Sequence, residues 1–179
     1  RPGSPASAFG SPLLHGYRCA GDHGADAVSR FDHAGISVDV PPGWEVAATG
    51  GGFRILPNGA KEPTVVHFGT FPLSAVGASF GADAVGSMRP DDVLIVLFEY
   101  GPEVVGTPPF ASIGIPLPLE PRDFDRNALQ RGIPGQSGLQ RFFTDKRRGF
   151  CLYVVLGSHI DRVELVAKVN SVLETLVLA

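Results

Sequence analysis

Two stretches, residues 93–98 and 150–156, carry apolar or aromatic side chains at every position, and they limit this chain more than any other feature. Successive side chains of a strand point to opposite faces. A strand with no polar residue therefore has no face to give to water and needs a layer above and a layer below it. Residues 139–144 lie just upstream of the second stretch. Between them stands Asp145-Lys146-Arg147-Arg148-Gly149, which predicts a hairpin with a charged tip. Phe150, Leu152, Val154 and Leu156 would face one side of the sheet, and Cys151, Tyr153 and Val155 the other.

The remaining segments supply further strands and part of the cover. Ile36, Val38 and Val40 alternate with Ser37 and Asp39, a half-buried strand, and residues 28–32 alternate in the same way. Pro41-Pro42-Gly43 stops the second of these. A short strand from Trp44 to Ala48 follows, broken by Gly50-Gly51-Gly52. Trp44 is expected to swing back and be largely buried beside the C-terminal helix. Phe53 with Ile55, and residues 64–71, read as two strands around the turn-rich stretch 57–63. Residues 82–88 predict a short helix ended by Pro90. Ile160, Val163, Val166, Val169 and Leu173 fall at spacings of three and four, an amphipathic helix laid on the sheet. Residues 176–178 make a short closing strand. Sequential strands joined by short turns give an antiparallel sheet. The expected class is α+β: one antiparallel sheet covered by helices and a long Pro-rich loop. Residues 1–27, rich in Gly, Pro, Ser and Ala, read as a flexible or loosely docked tail, and 28–179 as a single domain.

Composition removes several classes of function. The net charge is −3, without the basic excess that phosphate binding uses, so no nucleic-acid partner is expected. No run of 18 apolar residues is present, so no transmembrane segment is expected. The chain opens on Arg1 rather than Met and shows no leader pattern, which reads as a processed or trimmed start. Two cysteines, Cys19 and Cys151, lie far apart. An even count in an exported chain reads as a disulfide, and two buried thiols are the other reading.

The stretch Gly35-Ile36-Ser37-Val38-Asp39-Val40-Pro41-Pro42-Gly43-Trp44 resembles the opening of PsbP-like domains, where a strand runs into a Pro-Gly-Trp turn. The order strand, long amphipathic helix, short last strand at the C-terminal end is similar too. The strands at 92–101 and 150–156 resemble those of a group of exported actinobacterial proteins. The resemblance covers residues 30–179 in layout. It implies a PsbP-like α/β/α sandwich and, because members such as photosystem subunits, import factors and lipoproteins are mostly non-enzymatic, a binding or accessory role.

Side chains that could carry chemistry are sparse. Gly135-Gln136-Ser137-Gly138-Leu139 has Leu139 where a nucleophile elbow needs glycine, and it precedes a strand rather than a helix. Cys151 sits in an apolar strand, the wrong surroundings for a thiolate. The five histidines show no metal-ligand spacing. His15, Cys19, Asp22 and His23 cluster in the tail and read as a solvated loop. Asp91-Asp92 reads as a cap on a strand entry, and Lys146-Arg147-Arg148 as a solubilising tip. No catalytic residue, metal or cofactor is assigned. The long segment 101–138 holds seven prolines and is expected to cover one sheet face. Its apolar residues Phe110, Ile113, Ile115, Leu117, Leu119 and Phe124 are the candidate binding residues, for a protein partner or a small apolar ligand. The expected function is thus a non-enzymatic binding or accessory domain that is secreted or sits in the cell envelope. The alternative is a hydrolase-like enzyme whose site gathers Glu99, Arg122, Asp123, Arg126 and Arg141.

Overall fold

A computed structural model describes residues 27–51, 62–73, 84–129 and 132–179. The expected tail, the strand at Phe53 and Ile55, the tail His/Cys/Asp cluster and Cys19 lie outside the described residues. The fold is α+β, with two antiparallel sheets and one α-helix among those residues. The strands are β1 (Ser29–His33), β2 (Ile36–Val40), β3 (Glu45–Thr49), β4 (Val65–Gly69), β5 (Val93–Tyr100), β6 (Ser137–Asp145), β7 (Arg148–Leu156) and β8 (Val177–Leu178); the helix α1 is Arg162–Leu173.

The two all-apolar strands are neighbours at the heart of a five-stranded sheet ordered β3-β4-β5-β7-β6. Their register is Val93↔Leu156 through Tyr100↔Gly149. One face carries Val93, Ile95, Leu97, Phe150, Leu152, Val154 and Leu156, buried under α1 and the smaller sheet. The opposite face carries Leu94, Val96, Tyr153 and Val155, packed against Phe71, Leu73, Ala84 and Val85. Cover on both faces is what their composition demands.

Instead of the single sheet expected, β1, β2 and β8 form a second, three-stranded sheet laid on the helix side of the first. The β1–β2 hairpin turns on Ala34 and Gly35, both at positive φ, the geometry of a tight two-residue turn. Ile36, Val38 and Val40 are buried, as the alternation predicts, and Phe31 meets Phe68 edge-on at 6.3 Å. The expected helix at 82–88 is a single 3-10 turn, Ala84–Ser87. Asp92 does cap its strand entry: its carboxylate accepts from the Arg89 N–H at 2.7 Å and the Thr70 hydroxyl at 3.2 Å.

The helix stripe differs from the expected one. Leu165, Val166, Val169, Val172 and Leu173 are buried, while Ile160 is 80% exposed and Val163 68% exposed. At about 100° per residue, Val163 lies ~120° round the helix from Val169. Ile160 precedes the first turn and falls opposite the stripe. Each spacing of three adds about 60° of drift, so three in a row carry Ile160 about 180° from Val169. Trp44 is half-buried rather than largely buried, packed against the helix-side core and held by its N–H bond to the Pro41 carbonyl, 3.2 Å.

The basic run separates into two roles. Lys146 and Arg147 occupy the two-residue turn at positive φ and are exposed. Arg148 is not part of the soluble tip. Its guanidinium donates to both Glu99 oxygens at 2.8 Å, to the Ala34 carbonyl at 2.9 Å and to the Ala179 carbonyl at 2.6 Å. It also stands 5.1 Å from the centre of the Phe150 ring. One side chain thus ties the β1–β2 turn and the end of β8 to the central strand.

Candidate functional site

The segment between β5 and β6 does not lie on one face, as expected; it wraps around the β6 edge and covers both. Prolines open its turns Pro102–Val104, Pro108–Phe110 and Pro121–Asp123, where their fixed φ and missing N–H cost nothing. Val104 and Phe110 dock where Gly149 has no side chain; a Cβ there would collide with Val104 and press on the Phe110 ring. Phe110 meets Tyr100 at 5.2 Å and Phe142 at 5.3 Å, edge to face.

The chain then crosses the edge. The Thr144 hydroxyl donates to the Phe110 carbonyl (2.8 Å), the Thr144 N–H to Ser112 (2.8 Å), and the Gly114 N–H to the Thr144 carbonyl (2.9 Å). On the helix side Ile115 and Leu117 pack half-buried against the core, and Leu119 and Phe124 are buried. The Asn170 carboxamide of α1 grips Leu119 at both backbone groups, at 3.0 and 2.9 Å. Asp125 then exchanges two backbone bonds with Gly138, 3.0 and 2.9 Å. Leu129 fills the space that Gly138 leaves, back on the first face with Ile133.

Of the six candidate binding residues, Phe110, Leu119 and Phe124 are therefore buried, Ile115 and Leu117 are half-buried, and Ile113 is 82% exposed. Pro108, Pro109, Ala111 and Ser112 are exposed beside Ile113. The backbone on either side of Ile113 is pinned to Thr144, so this isoleucine is presented to solvent on a rigid mount.

Under Phe110 lies a second group. Phe98, Tyr100, Phe142 and Cys151 share the face, with Phe98 and Tyr100 4.7 Å apart. Cys151 is a fully buried free thiol that accepts from the Gln140 amide at 3.4 Å. Burial pushes its pKa up, and that of the Tyr100 phenol likewise. These are the opposite of activated nucleophiles. Ser137 is fully buried at the start of β6, not at an elbow.

The dispersed polar residues do not converge. Arg122 pairs with Glu120, and Arg141 reaches Asp123 at 3.4 Å, both near the second crossing. Glu99 stays with Arg148 in a different part of the sheet, and Arg126 is exposed. A cleft of about 110 Å³ lies between Glu99, Tyr100 and Arg147. Another of about 470 Å³ is lined by Thr70, Ser87, Arg89 and Asp92. Among the described residues, no three His, Cys, Asp or Glu side chains are placed to hold a metal ion. No described helix is long and apolar enough to cross a membrane. The strand at 139–144 was expected, but its place at the sheet edge, and the glycine sockets at 138 and 149, escaped the sequence reading. The sockets' trace was one glycine in each of the two paired strands β6 and β7. No family model, curated protein or solved structure matches the chain.

Proposed function

We propose that this chain is a binding or accessory domain of PsbP-like sandwich type, working outside the cytoplasm, whose contact surface is the outside of the Pro-rich wrap. The observation that carries this reading is Ile113: a large apolar side chain, 82% exposed, on backbone fixed by hydrogen bonds to Thr144 on both sides. An anchor that is ordered before it binds loses little entropy on docking. A protruding anchor suits a pocket on a protein better than a small ligand, which needs a concave site. With the exported location we propose a Cys19–Cys151 bond, formed on oxidation of the Cys151 thiol, which is unbonded in this structure.

The test places a photo-cross-linking side chain at position 113 and, as control, at the exposed helix position 163, in an envelope extract of the source organism. One discrete adduct at 113, absent at 163, and competed by the unmodified protein but not by Ile113→Asp, is the expected result. The Ile113→Asp protein should keep its stability within about 0.5 kcal/mol, as exposed positions do. Equal competition by Ile113→Asp would refute the surface.

A further inference from the structure

The β6 edge has a gap between its two stitches. In a strand, the N–H and C=O of one residue point to the same side, and that side alternates along the chain. Gly138 and Thr144 turn theirs outward, to Asp125 and to Ser112 and Gly114. The register with β7 runs from Ser137↔Leu156 to Asp145↔Arg148 with no bulge to reset the alternation. Gln140 and Phe142 must therefore turn outward as well. Among the described residues neither makes a backbone–backbone bond on that side; the Gln140 carbonyl receives only a long contact from Arg141 Nη1, 3.4 Å. The wrap leaves the edge here, because Ile115, Leu117 and Leu119 are drawn onto the helix-side core.

We infer that this gap is a β-strand addition site for a short extended peptide of a partner protein, bearing an acidic side chain opposite Arg141. The inference rests on the binding reading above and names the kind of partner. Two donors and two acceptors at alternate positions of a rigid sheet form a template for an added strand. Gly138 and Thr144 are six residues apart, about 20 Å at strand spacing, which leaves room for roughly three paired residues. A second copy does not fit. Two-fold pairing through the gap sets Arg141 opposite Arg141 of the copy, and like charges directly opposite repel. Each copy's stitches would also meet the other's continuing strand. Arg141 is half-exposed, and its contact with Asp123 is long, 3.4 Å, so it can turn to an incoming carboxylate.

The experiment is amide hydrogen exchange by NMR on the full chain. In the free protein, Gln140 and Phe142 should exchange fast while Leu139, Arg141 and Phe143 are protected. The probe is acetyl-Thr-Val-Glu-Val-Thr-amide, whose valines fall opposite Gln140 and Phe142 and whose glutamate falls opposite Arg141. Millimolar peptide should slow exchange at both amides, and N-methylating its valines should abolish the effect. Replacing its glutamate with lysine should weaken binding about two- to fivefold, the size of one cross-strand charge pair, and Arg141→Glu should reverse that preference. Ile113→Asp should leave the response intact, so the slot and the Ile113 surface can fail separately. Protection of Gln140 and Phe142 in the free chain, equal binding of the N-methylated peptide, or protection that rises with protein concentration alone would each overturn the inference.

Discussion

Replacing Arg148 with methionine keeps the bulk of the side chain and removes five donated hydrogen bonds, two of them to the Glu99 carboxylate and one a long contact to the Gly35 carbonyl, 3.5 Å. Arg148 and Glu99 side chains are each 19% exposed, between a surface pair, worth under about 1 kcal/mol, and a fully buried one, where removing one partner costs about 3–5 kcal/mol. The expected loss is about 2–4 kcal/mol. With a urea slope of about 2 kcal/mol per molar, the unfolding midpoint should fall by about 1–2 M. Arg148→Lys keeps the charge without the planar fork and should fall between the two. Arg147→Met, at the exposed turn, should stay within about 0.5 kcal/mol. The double variant Glu99→Met with Arg148→Met should cost less than the sum of the singles, because the pair is coupled. A midpoint shift for Arg148→Met no larger than that of Arg147→Met would refute the view that this arginine ties the two sheets together.

Two further perturbations follow from the covered face. Gly149→Val fills the socket of Val104 and Phe110 and should cost about 1–3 kcal/mol of overpacking, seen as a melting temperature lowered by about 3–10 °C; adding Val104→Ala should recover part of it. In the reduced chain, burial holds the Cys151 pKa above its unfolded value, so the folded state keeps its proton longer. That stability is present below the ordinary thiol pKa and is lost as pH rises through the folded one; unfolding curves should show an alkaline loss that Cys151→Ala reduces. In unreduced protein the proposed Cys19–Cys151 bond predicts an intact mass lower by two hydrogens, and two alkylatable thiols after denaturation would rule it out.

The local patterns were legible in the chain itself. Period-two alternation at 36–40 and unbroken apolar runs at 93–98 and 150–156 carry their burial in their own composition, since a strand's faces follow from counting residues. The antiparallel pairing of β6 with β7 follows from the short turn between them. Other features depend on what lies across space. Which apolar residues of the Pro-rich segment face inward could not be read, because no helix or strand period runs through it; the Gly149 socket at Phe110, the Asn170 amide at Leu119 and the helix-side core at Ile115, Leu117 and Phe124 decide it. Likewise, Arg148 is one of three consecutive cations in the sequence, yet it is the one bonded to both Glu99 oxygens, because the β5–β7 register brings Glu99 level with Phe150, two residues from Arg148 and so on the same face. Periodicity is a local property and can be counted along a chain, whereas a partner for a charge, or a hole for a ring, exists only once distant segments have met.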